Sequence, residues 1–300
     1  MKSDNLVIVR AGKDSLHPGW MEQGGVRPAF DLLVAAYHKD AVSEDAPGIR
    51  YRLIPGSKVR GWNAVLREQA DLVRRYQHVA LIDDDIEADA ATLNRCFAVG
   101  KAHDLSLWQP SLTHDSFATY GASLQNDRFL LRHVNCIEMM CPFFKVATLT
   151  HIAELFSLGY ESGIDLVWCS LVRELGGKCA IVDACAVRHT KPVGEQKQLN
   201  GFIGKTYEDD IRECLNLFGM EWPSWVAESA IDKSDHTKID GFNLKFNTMR
   251  PLLSFLRAPK GNRLDRLKAS FDHVRHQALR QPYYGIDIKK RIDRLKIMAR

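Results

Sequence analysis

Short apolar runs alternate with amphipathic segments through most of the first two thirds of this 300-residue chain. Some runs are rich in aliphatic and β-branched residues, end at Gly, Pro or charged residues, and have the length of buried strands. They cover residues 6–9, 30–37, 49–54, 78–82, 105–108 and 180–182. Other segments repeat their apolar residues every three or four positions, as amphipathic helices do. They cover residues 61–76, 88–100, 144–158 and 164–175. The alternation predicts a single Rossmann-like α/β domain with a mixed, mostly parallel sheet.

The pattern is weaker in two parts of the chain. Residues 111–134 are polar and irregular, which predicts a loop region near a site. Farther along, residues 207–218 have a helical pattern and residues 230–245 are polar. We therefore expect a main domain over residues 1–200 and a mostly helical extension over residues 201–300.

Charge distinguishes the end of the chain from the rest. The formal net charge is +4, yet residues 251–300 contain 13 Lys and Arg against 4 Asp and no Glu, so the other 250 residues sum to −5. Two basic helices are predicted here, over residues 262–280 and 287–298, each with one apolar stripe. The stripes are Leu264, Leu267, Phe271 and Val274, then Ile288, Ile292, Leu295 and Met298. These stripes either pack on the protein body or on a second subunit, or they lie on an anionic membrane surface.

The same composition excludes several classes of protein. Seven cysteines without a C-x-x-C pair indicate neither a disulfide framework nor a zinc ribbon, and their apolar neighbours predict reduced core residues. No run of ~18 apolar residues predicts a membrane span. The first ten residues are typical of a strand and not of a signal peptide, so we expect a cytoplasmic protein. Its basic end could bring it to the inner face of the membrane. The body lacks the interleaved aromatic and basic residues of single-strand binders, so no nucleic-acid partner is expected.

The strongest chemical signal is a cluster of three carboxylates, Asp83, Asp84 and Asp85, directly after an apolar strand. Ligands of open α/β sheets bind at the carboxyl ends of the strands. Adjacent carboxylates repel one another, and Mg²⁺ or Mn²⁺ binds carboxylate and diphosphate oxygens together. The cluster therefore predicts a metal and diphosphate site; the alternative is a solvated acidic turn.

Three further residues are candidates for the same site. His189 follows the last strand of the body, where a neutral imidazole could complete a metal shell, although a lone His is also an ordinary polar residue. Asp165 lies in the first turn of a predicted helix, either as a capping acid or as a general base for an acceptor hydroxyl. Glu138 lies in an apolar run, where burial of an acidic side chain is costly and therefore suggests a function. It is the alternative to Asp165 as the general base.

Basic residues near predicted strand ends could neutralise a diphosphate. They are Arg10, Lys58 and Arg60. The alternative for each is an ordinary solvent-exposed cation.

These segments, taken in order, resemble a known family. The matching segments are residues 82–86, 108–112, 137–143, 163–166, 182–183 and 187–189. They look like the plant and bacterial family catalogued as domain of unknown function 707, which is itself similar to glycosyltransferases of the A-type fold. The resemblance covers roughly residues 5–195, and its most specific parts are E-M-M-x-P-x-F and G-x-D-L.

The resemblance implies a nucleotide-sugar-binding domain of the glycosyltransferase A type and a role for each matching position. It implies that Asp83 and Asp85 hold the ribose side and the metal-bound diphosphate, with Asp84 beside them in the donor site. It implies an acidic catalytic or acceptor-binding residue at Asp165 and the last metal ligand at His189.

The predicted activity is the metal-dependent transfer of a sugar from a nucleotide-diphosphate sugar to a hydroxyl of a glycan or a lipid-linked acceptor, as in polysaccharide or glycolipid synthesis. Mn²⁺ or Mg²⁺ is the expected cofactor. One alternative is a sugar nucleotidyltransferase, which usually carries an N-terminal glycine-rich loop that residues 10–13 do not match. The other alternative is a non-catalytic binding protein on the same fold.

Overall fold

The computed structural model describes residues 3–22, 25–192, 206–249, 256–259, 263–282 and 285. The described strands are β1 (Asn5–Ala11), β2 (Asp31–Ala36), β3 (Ile49–Leu53), β4 (His78–Asp83), β5 (Ile86–Glu87), β6 (Leu107–Leu112), β7 (Phe129–Val134), β8 (Phe143–Lys145), β9 (Cys179–His189), β10 (Ala227–Asp232) and β11 (Lys238–Ile239). The described α-helices are α1 (Gly19–Glu22), α2 (Lys58–Glu68), α3 (Ala70–Val73), α4 (Ala90–Ala102), α5 (Val146–Ile152), α6 (Ile164–Glu174), α7 (Tyr207–Phe218), α8 (Gly241–Thr248) and α9 (Arg263–Leu279).

One large sheet organises the molecule. Its strand order is β11-β10-β7-β9-β6-β8-β4-β1-β2-β3, with β5 paired to the end of β9. Strands β1 to β4, β6 and β9 run in the same direction, whereas β7 and β8 run against them. The α/β class and the mixed, mostly parallel sheet predicted from the sequence are therefore confirmed.

Alternate residues of the central strands supply two separate cores, one on each face of the sheet. On β1, Leu6 and Ile8 face one core, and Val7 and Val9 face the other. Both faces are buried, which explains why these strands read as continuous apolar runs. Helices α2, α3, α5, α6 and α7 cover the first face, and α1 and α4 cover the second. The result is a three-layer arrangement whose strand ends are left free to form a site.

The central part of the chain differs from the sequence prediction in two places. The predicted loop over residues 111–134 ends in a strand, β7, which pairs with β9 and β10. The predicted helix over residues 144–158 begins inside strand β8 and ends in a 3-10 turn. Both strands pair with strands that are distant in sequence. A local hydrophobic pattern carries no information about such partners.

The extension, predicted to be mostly helical, contains strands as well as helices. The predicted polar stretch over residues 230–245 contains parts of β10 and all of β11, which continue the central sheet beyond β7. Helices α7 and α9 confirm two of the predicted helices, and the helix predicted over residues 287–298 lies outside the described residues. The domain boundary placed near residue 200 stays a prediction.

The cysteines agree with their prediction as core residues. All seven cysteines are free and buried, as expected for reduced core residues. Among the described residues, no helix is long and apolar enough to cross a bilayer.

Candidate active site

The acidic cluster lies where β4 ends, at the carboxyl edge of the parallel strands. Asp83 is the last residue of β4, and Asp84 and Asp85 form the turn into β5. Strand β5 pairs with the end of β9, with Ile86 opposite His189. This short ladder brings the histidine to the carboxylates across more than 100 residues of sequence.

Asp85 and His189 form the part of the site best suited to a cation. The Nε2 atom of His189 lies 3.3 Å from Oδ2 of Asp85, and its Nδ1 atom lies 2.8 Å from the carbonyl oxygen of Phe117. When Nδ1–H donates to that carbonyl, the lone pair of the neutral imidazole is on Nε2 and faces Asp85. The other carboxylate oxygen of Asp85, Oδ1, is buried without a hydrogen-bond partner.

Burial lowers the pKa of His189, but the hydrogen bond to Asp85 and the charge of that carboxylate outweigh burial and raise the pKa overall. A divalent ion would replace the proton between the ring nitrogen and Asp85, and the buried, unsatisfied oxygen of Asp85 would be a further ligand. Within the described ranges, no three His, Cys, Asp or Glu side chains form a metal-binding group. An ion here would therefore take its remaining ligands from a bound substrate and water, as Mg²⁺ does at phosphate sites.

The Asp83 carboxylate is paired with a cation. Its Oδ2 atom lies 2.5 Å from Nζ of Lys58, the first residue of α2. Burial raises the pKa of Asp83 to about 6, and the charge of Lys58 opposes that rise. The sequence predicted Lys58 as a phosphate-neutralising residue, and the structure places it between the acidic cluster and the first turn of a helix.

Asp84 has the contacts of a structural residue. Its Oδ2 atom accepts hydrogen bonds from the backbone N–H of Gly12 at 2.7 Å and from the hydroxyl of Tyr37 at 2.9 Å. A Cβ atom at Gly12 would lie 2.2 Å from that hydroxyl, so only glycine fits this contact. Asp84 thus ties the loops after β1 and β2 to the acidic turn, while its predicted contact with a donor sugar stays a prediction.

Arg10 is buried beneath the site. Its guanidinium donates to the carbonyl oxygens of Ala35, Ile54 and Gly56 at 2.7–3.2 Å, and burial lowers its pKa to about 10. These contacts hold the loop after β3 in place, and contact with a phosphate remains a prediction. By contrast, Arg60 is exposed, with its Nε atom 4.0 Å from Glu161.

Glu161 is a residue of this site that the sequence analysis did not select. Its carboxylate accepts hydrogen bonds from the backbone N–H groups of Val59 at 2.8 Å and Arg60 at 3.2 Å, and from the hydroxyl of Ser57. It therefore caps the N-terminus of α2, which would otherwise leave N–H groups unpaired. The cap comes from about 100 residues away in sequence, so no capping motif near α2 could have revealed it.

The two predicted acids, Asp165 and Glu138, line the same cavity. Asp165 lies in the first turn of α6, after Gly163 in a left-handed conformation with φ of 94°. Burial raises the pKa of Asp165 to about 6, and the charge of Lys58 and backbone N–H groups oppose that rise. Burial likewise raises the pKa of Glu138 to about 7; the hydroxyl of Ser123 donates to this carboxylate, and the charge of Asp165 adds to the rise.

A cavity of about 980 Å³ joins these groups. It is lined by seven carboxylates and four Lys or Arg side chains, so carboxylates outnumber these basic side chains on its wall. That balance favours a cation together with its ligand. The candidates predicted from the sequence, other than Arg60, all line it: Arg10, Lys58, Asp83, Asp84, Asp85, Glu138, Asp165 and His189.

Helix α7 and the segment after it complete the wall of the cavity. They contribute Tyr207, Ile211 and the half-exposed Trp222, which the sequence analysis did not select. The carboxylate of Asp210 accepts hydrogen bonds from the backbone N–H groups of Glu161 at 2.7 Å and Ser162 at 2.8 Å. This contact fixes α7 to the loop that precedes Asp165.

Comparisons with known proteins give similarities of fold at low sequence identity. No family model and no curated protein matches the chain, so the resemblance to the family named above is not confirmed. A structure of S. aureus TarS residues 1–349 in complex with UDP-GlcNAc is similar over 91% of this chain and 90% of that chain, with 14% identity and a TM-score of 0.43.

Two further solved structures are similar over most of their length. A protein proposed to be a nucleotide-diphospho-sugar transferase, from Desulfovibrio desulfuricans G20, has 11% identity and a TM-score of 0.36, and the match covers 70% of this chain and 95% of that one. A197 from STIV has 12% identity and a TM-score of 0.37 over 80% of this chain and 93% of that one. At these TM-scores the similarities carry no functional argument, which therefore depends on the site itself.

Proposed function

We propose that this protein is a metal-dependent glycosyltransferase that moves a sugar from a nucleotide-diphosphate sugar to an acceptor hydroxyl. The observation that carries the proposal is the pair formed by Asp85 and His189 at the carboxyl edge of the sheet. The pair offers an unsatisfied carboxylate oxygen and an imidazole nitrogen to a large cavity whose carboxylates outnumber its Lys and Arg side chains. The cavity volume lies at the upper end of the usual range for small-molecule sites, ~300–1,000 Å³, which suits a ligand as large as a nucleotide sugar.

Asp85 and His189 would hold the ion, and the diphosphate would complete its coordination. Bound Mn²⁺ or Mg²⁺ would supply charge to stabilise the leaving nucleoside diphosphate. Both ions bind carboxylate and phosphate oxygens, and the imidazole of His189 suits Mn²⁺ better than Mg²⁺.

Lys58 and Asp83 would bind the donor beside the ion. The Nζ atom of Lys58, on the first residue of α2, could exchange its bond to Asp83 for a bond to a phosphate oxygen. The Asp83 carboxylate would then accept a hydrogen bond from a ribose hydroxyl. Lys13 and Lys191 also line the cavity and would add positive charge near the phosphates.

Asp165 is the residue we propose as general base on the acceptor side. With a pKa of about 6, its carboxylate is mostly ionised at neutral pH and can take the proton of the attacking hydroxyl. Glu138 is less suited, because its pKa of about 7 leaves much of it protonated and the Ser123 hydroxyl already donates to it. We propose a glycan or lipid-linked hydroxyl as the acceptor.

Thermal-shift measurements with nucleoside diphosphates, with and without Mn²⁺, test the donor site. A ligand at 100 times its Kd stabilises the folded state by about 2.7 kcal/mol, so a matching nucleotide should raise the Tm only when the metal is present. Incubation with the corresponding nucleotide sugar then tests catalysis. Release of nucleoside diphosphate identifies a transferase, release of pyrophosphate from sugar phosphate and nucleoside triphosphate identifies a nucleotidyltransferase, and binding without either product identifies a binding protein.

A further inference from the structure

Helix α9 packs against the body through a polar face. Four polar side chains at spacings of four, three and four residues are buried: Arg266, Ser270, His273 and Gln277. The apolar stripe predicted from the sequence faces solvent instead, with Leu264 79% exposed and Phe271 63% exposed. Of the alternatives given for this stripe, packing on the body does not apply to Leu264 and Phe271, because the polar face occupies the contact.

Specific hydrogen bonds hold α9 in this orientation. The guanidinium of Arg266 donates to the carbonyl oxygens of His114 and Ser116. The side-chain amide of Gln277 both donates to and accepts from the backbone of Ala227, at 2.8 and 2.7 Å. A rotation of α9 that buried the apolar stripe would leave these buried polar groups without partners, which is costly. The outward position of the stripe is thus fixed by the docking contacts.

Helix α8 presents a second apolar stripe to solvent. Phe242 is 81% exposed and Phe246 is 65% exposed, and Met249 follows on the same side. Leu244 and Thr248, on the opposite side of the helix, are buried. The Nζ atom of Lys245 donates to the carbonyl oxygen of Ala278 at 2.9 Å and so joins α8 to α9. The two helices form one unit with two exposed stripes.

The charge around these stripes determines which partner fits them. Exposed Lys and Arg outnumber exposed Asp on α9 and directly after it. The basic residues are Arg263, Lys268 and Arg275 on α9 and Arg280 after it, against Asp265 and Asp272. Residues 251–300 as a whole contain 13 Lys and Arg against 4 Asp. A second copy of this chain would bring the same positive charge to the contact, whereas an anionic surface would neutralise it.

We infer that α8 and α9 bind an anionic lipid surface. The exposed Phe and Leu side chains would enter the boundary between headgroups and acyl chains, and the neighbouring Lys and Arg would contact lipid phosphates. A soluble monomer rarely leaves so many large apolar side chains of two adjacent helices in water. This inference does not depend on the chemistry proposed for the cavity.

Co-sedimentation with vesicles tests the inference on the full chain. Vesicles of phosphatidylglycerol and phosphatidylcholine are compared with vesicles of phosphatidylcholine alone, at low and high salt. We expect binding to the anionic vesicles that weakens with salt. The double variants Leu264→Ser/Phe271→Ser and Phe242→Ser/Phe246→Ser should each bind at least about tenfold more weakly, since each removes two apolar side chains from the stripes.

Leu175→Ser is the control, because Leu175 is also an exposed leucine and lies directly after the last residue of α6, away from the two stripes in sequence. It should bind vesicles like the parent, and circular dichroism should show all variants folded. Absence of vesicle binding, or equal binding by parent and double variants, would overturn the inference; equal binding would assign the effect to charge elsewhere in the chain. A concentration-dependent dimer that the double variants lose would assign the stripes to a second copy and also overturn it.

Discussion

The adjacent residues Asp84 and Asp85 in the acidic turn have different hydrogen-bond contacts. Asp84 uses one carboxylate oxygen to hold the Gly12 N–H and the Tyr37 hydroxyl, so its contacts are complete within the protein. Asp85 keeps one buried oxygen without a partner. The difference arises from the strand end, which directs one side chain towards the neighbouring loops and the next towards His189.

This contrast predicts opposite effects of two neighbouring substitutions. Asp85→Ala should abolish the Mn²⁺-dependent rise in Tm with nucleoside diphosphate while leaving the ligand-free Tm near that of the parent. Asp84→Ala should lower the free energy of unfolding by about 1–3 kcal/mol, because it leaves a backbone N–H and a hydroxyl without their acceptor. Urea unfolding and thermal shift on both variants provide the comparison. Parental nucleotide and metal binding by Asp85→Ala would place the ion elsewhere.

The pKa of Asp165 predicts how the rate of sugar transfer depends on pH. Because its pKa is about 6, the ionised base is lost as the pH falls through that value, and kcat/KM should decrease on the acid side. Asp165→Asn should keep donor binding and lose at least about 100-fold in transfer rate, since an amide cannot accept the proton. Initial rates across pH, with Glu138→Gln as the comparison, separate the two acids. Loss of transfer in Glu138→Gln with near-parental rates in Asp165→Asn would exchange their roles.

At the scale of elements, the sheet shows which parts of the fold can be predicted from sequence patterns and which cannot. The central strands were predicted because both of their faces are buried and their runs are continuously apolar. Strand β7 was not predicted, because it carries the charged residue Arg132. In the structure this charge is compensated by a buried ion pair, with Nε of Arg132 2.7 Å from Oδ2 of Asp183. The same limit applies at the site. Asp83, Asp85 and His189 follow strands and were recognisable, whereas Glu161 and Asp210 act on backbone groups far away in sequence.

Helix α9 predicts a dependence of stability on pH. Burial lowers the pKa of His273 from 6.5 to about 3, so the folded state binds this proton far less readily than the unfolded state. The contribution of His273 to stability is therefore complete above pH 6.5 and is lost as the pH falls towards 3, by up to about 1.4 kcal/mol per pH unit. Urea unfolding at several pH values should show a steeper acid loss for the parent than for His273→Gln. Parallel curves would show that His273 is not buried as a neutral ring.

The whole molecule has two differently charged regions. Carboxylates outnumber Lys and Arg side chains on the wall of the cavity at the carboxyl edge, and the end of the chain is basic. The cavity wall nevertheless includes Tyr207, Glu208 and Trp222 from beyond the boundary predicted near residue 200. The site therefore depends on both predicted parts of the chain, although the sequence analysis placed all its candidates in the first.

The contacts of Glu161 have a consequence for how the two substrates influence each other. Its side chain caps the helix that carries Lys58, and its backbone N–H is held by Asp210 on α7. A shift of Lys58 towards a phosphate is thus connected through Glu161 to α7 and to the loop that precedes Asp165, the residue proposed for the acceptor side. We expect donor and acceptor to bind cooperatively, and thermodynamic reciprocity requires each to change the affinity of the other by the same factor. Titration calorimetry of nucleotide with and without acceptor should show this coupling in the parent, and Asp210→Ala should reduce it towards independent binding.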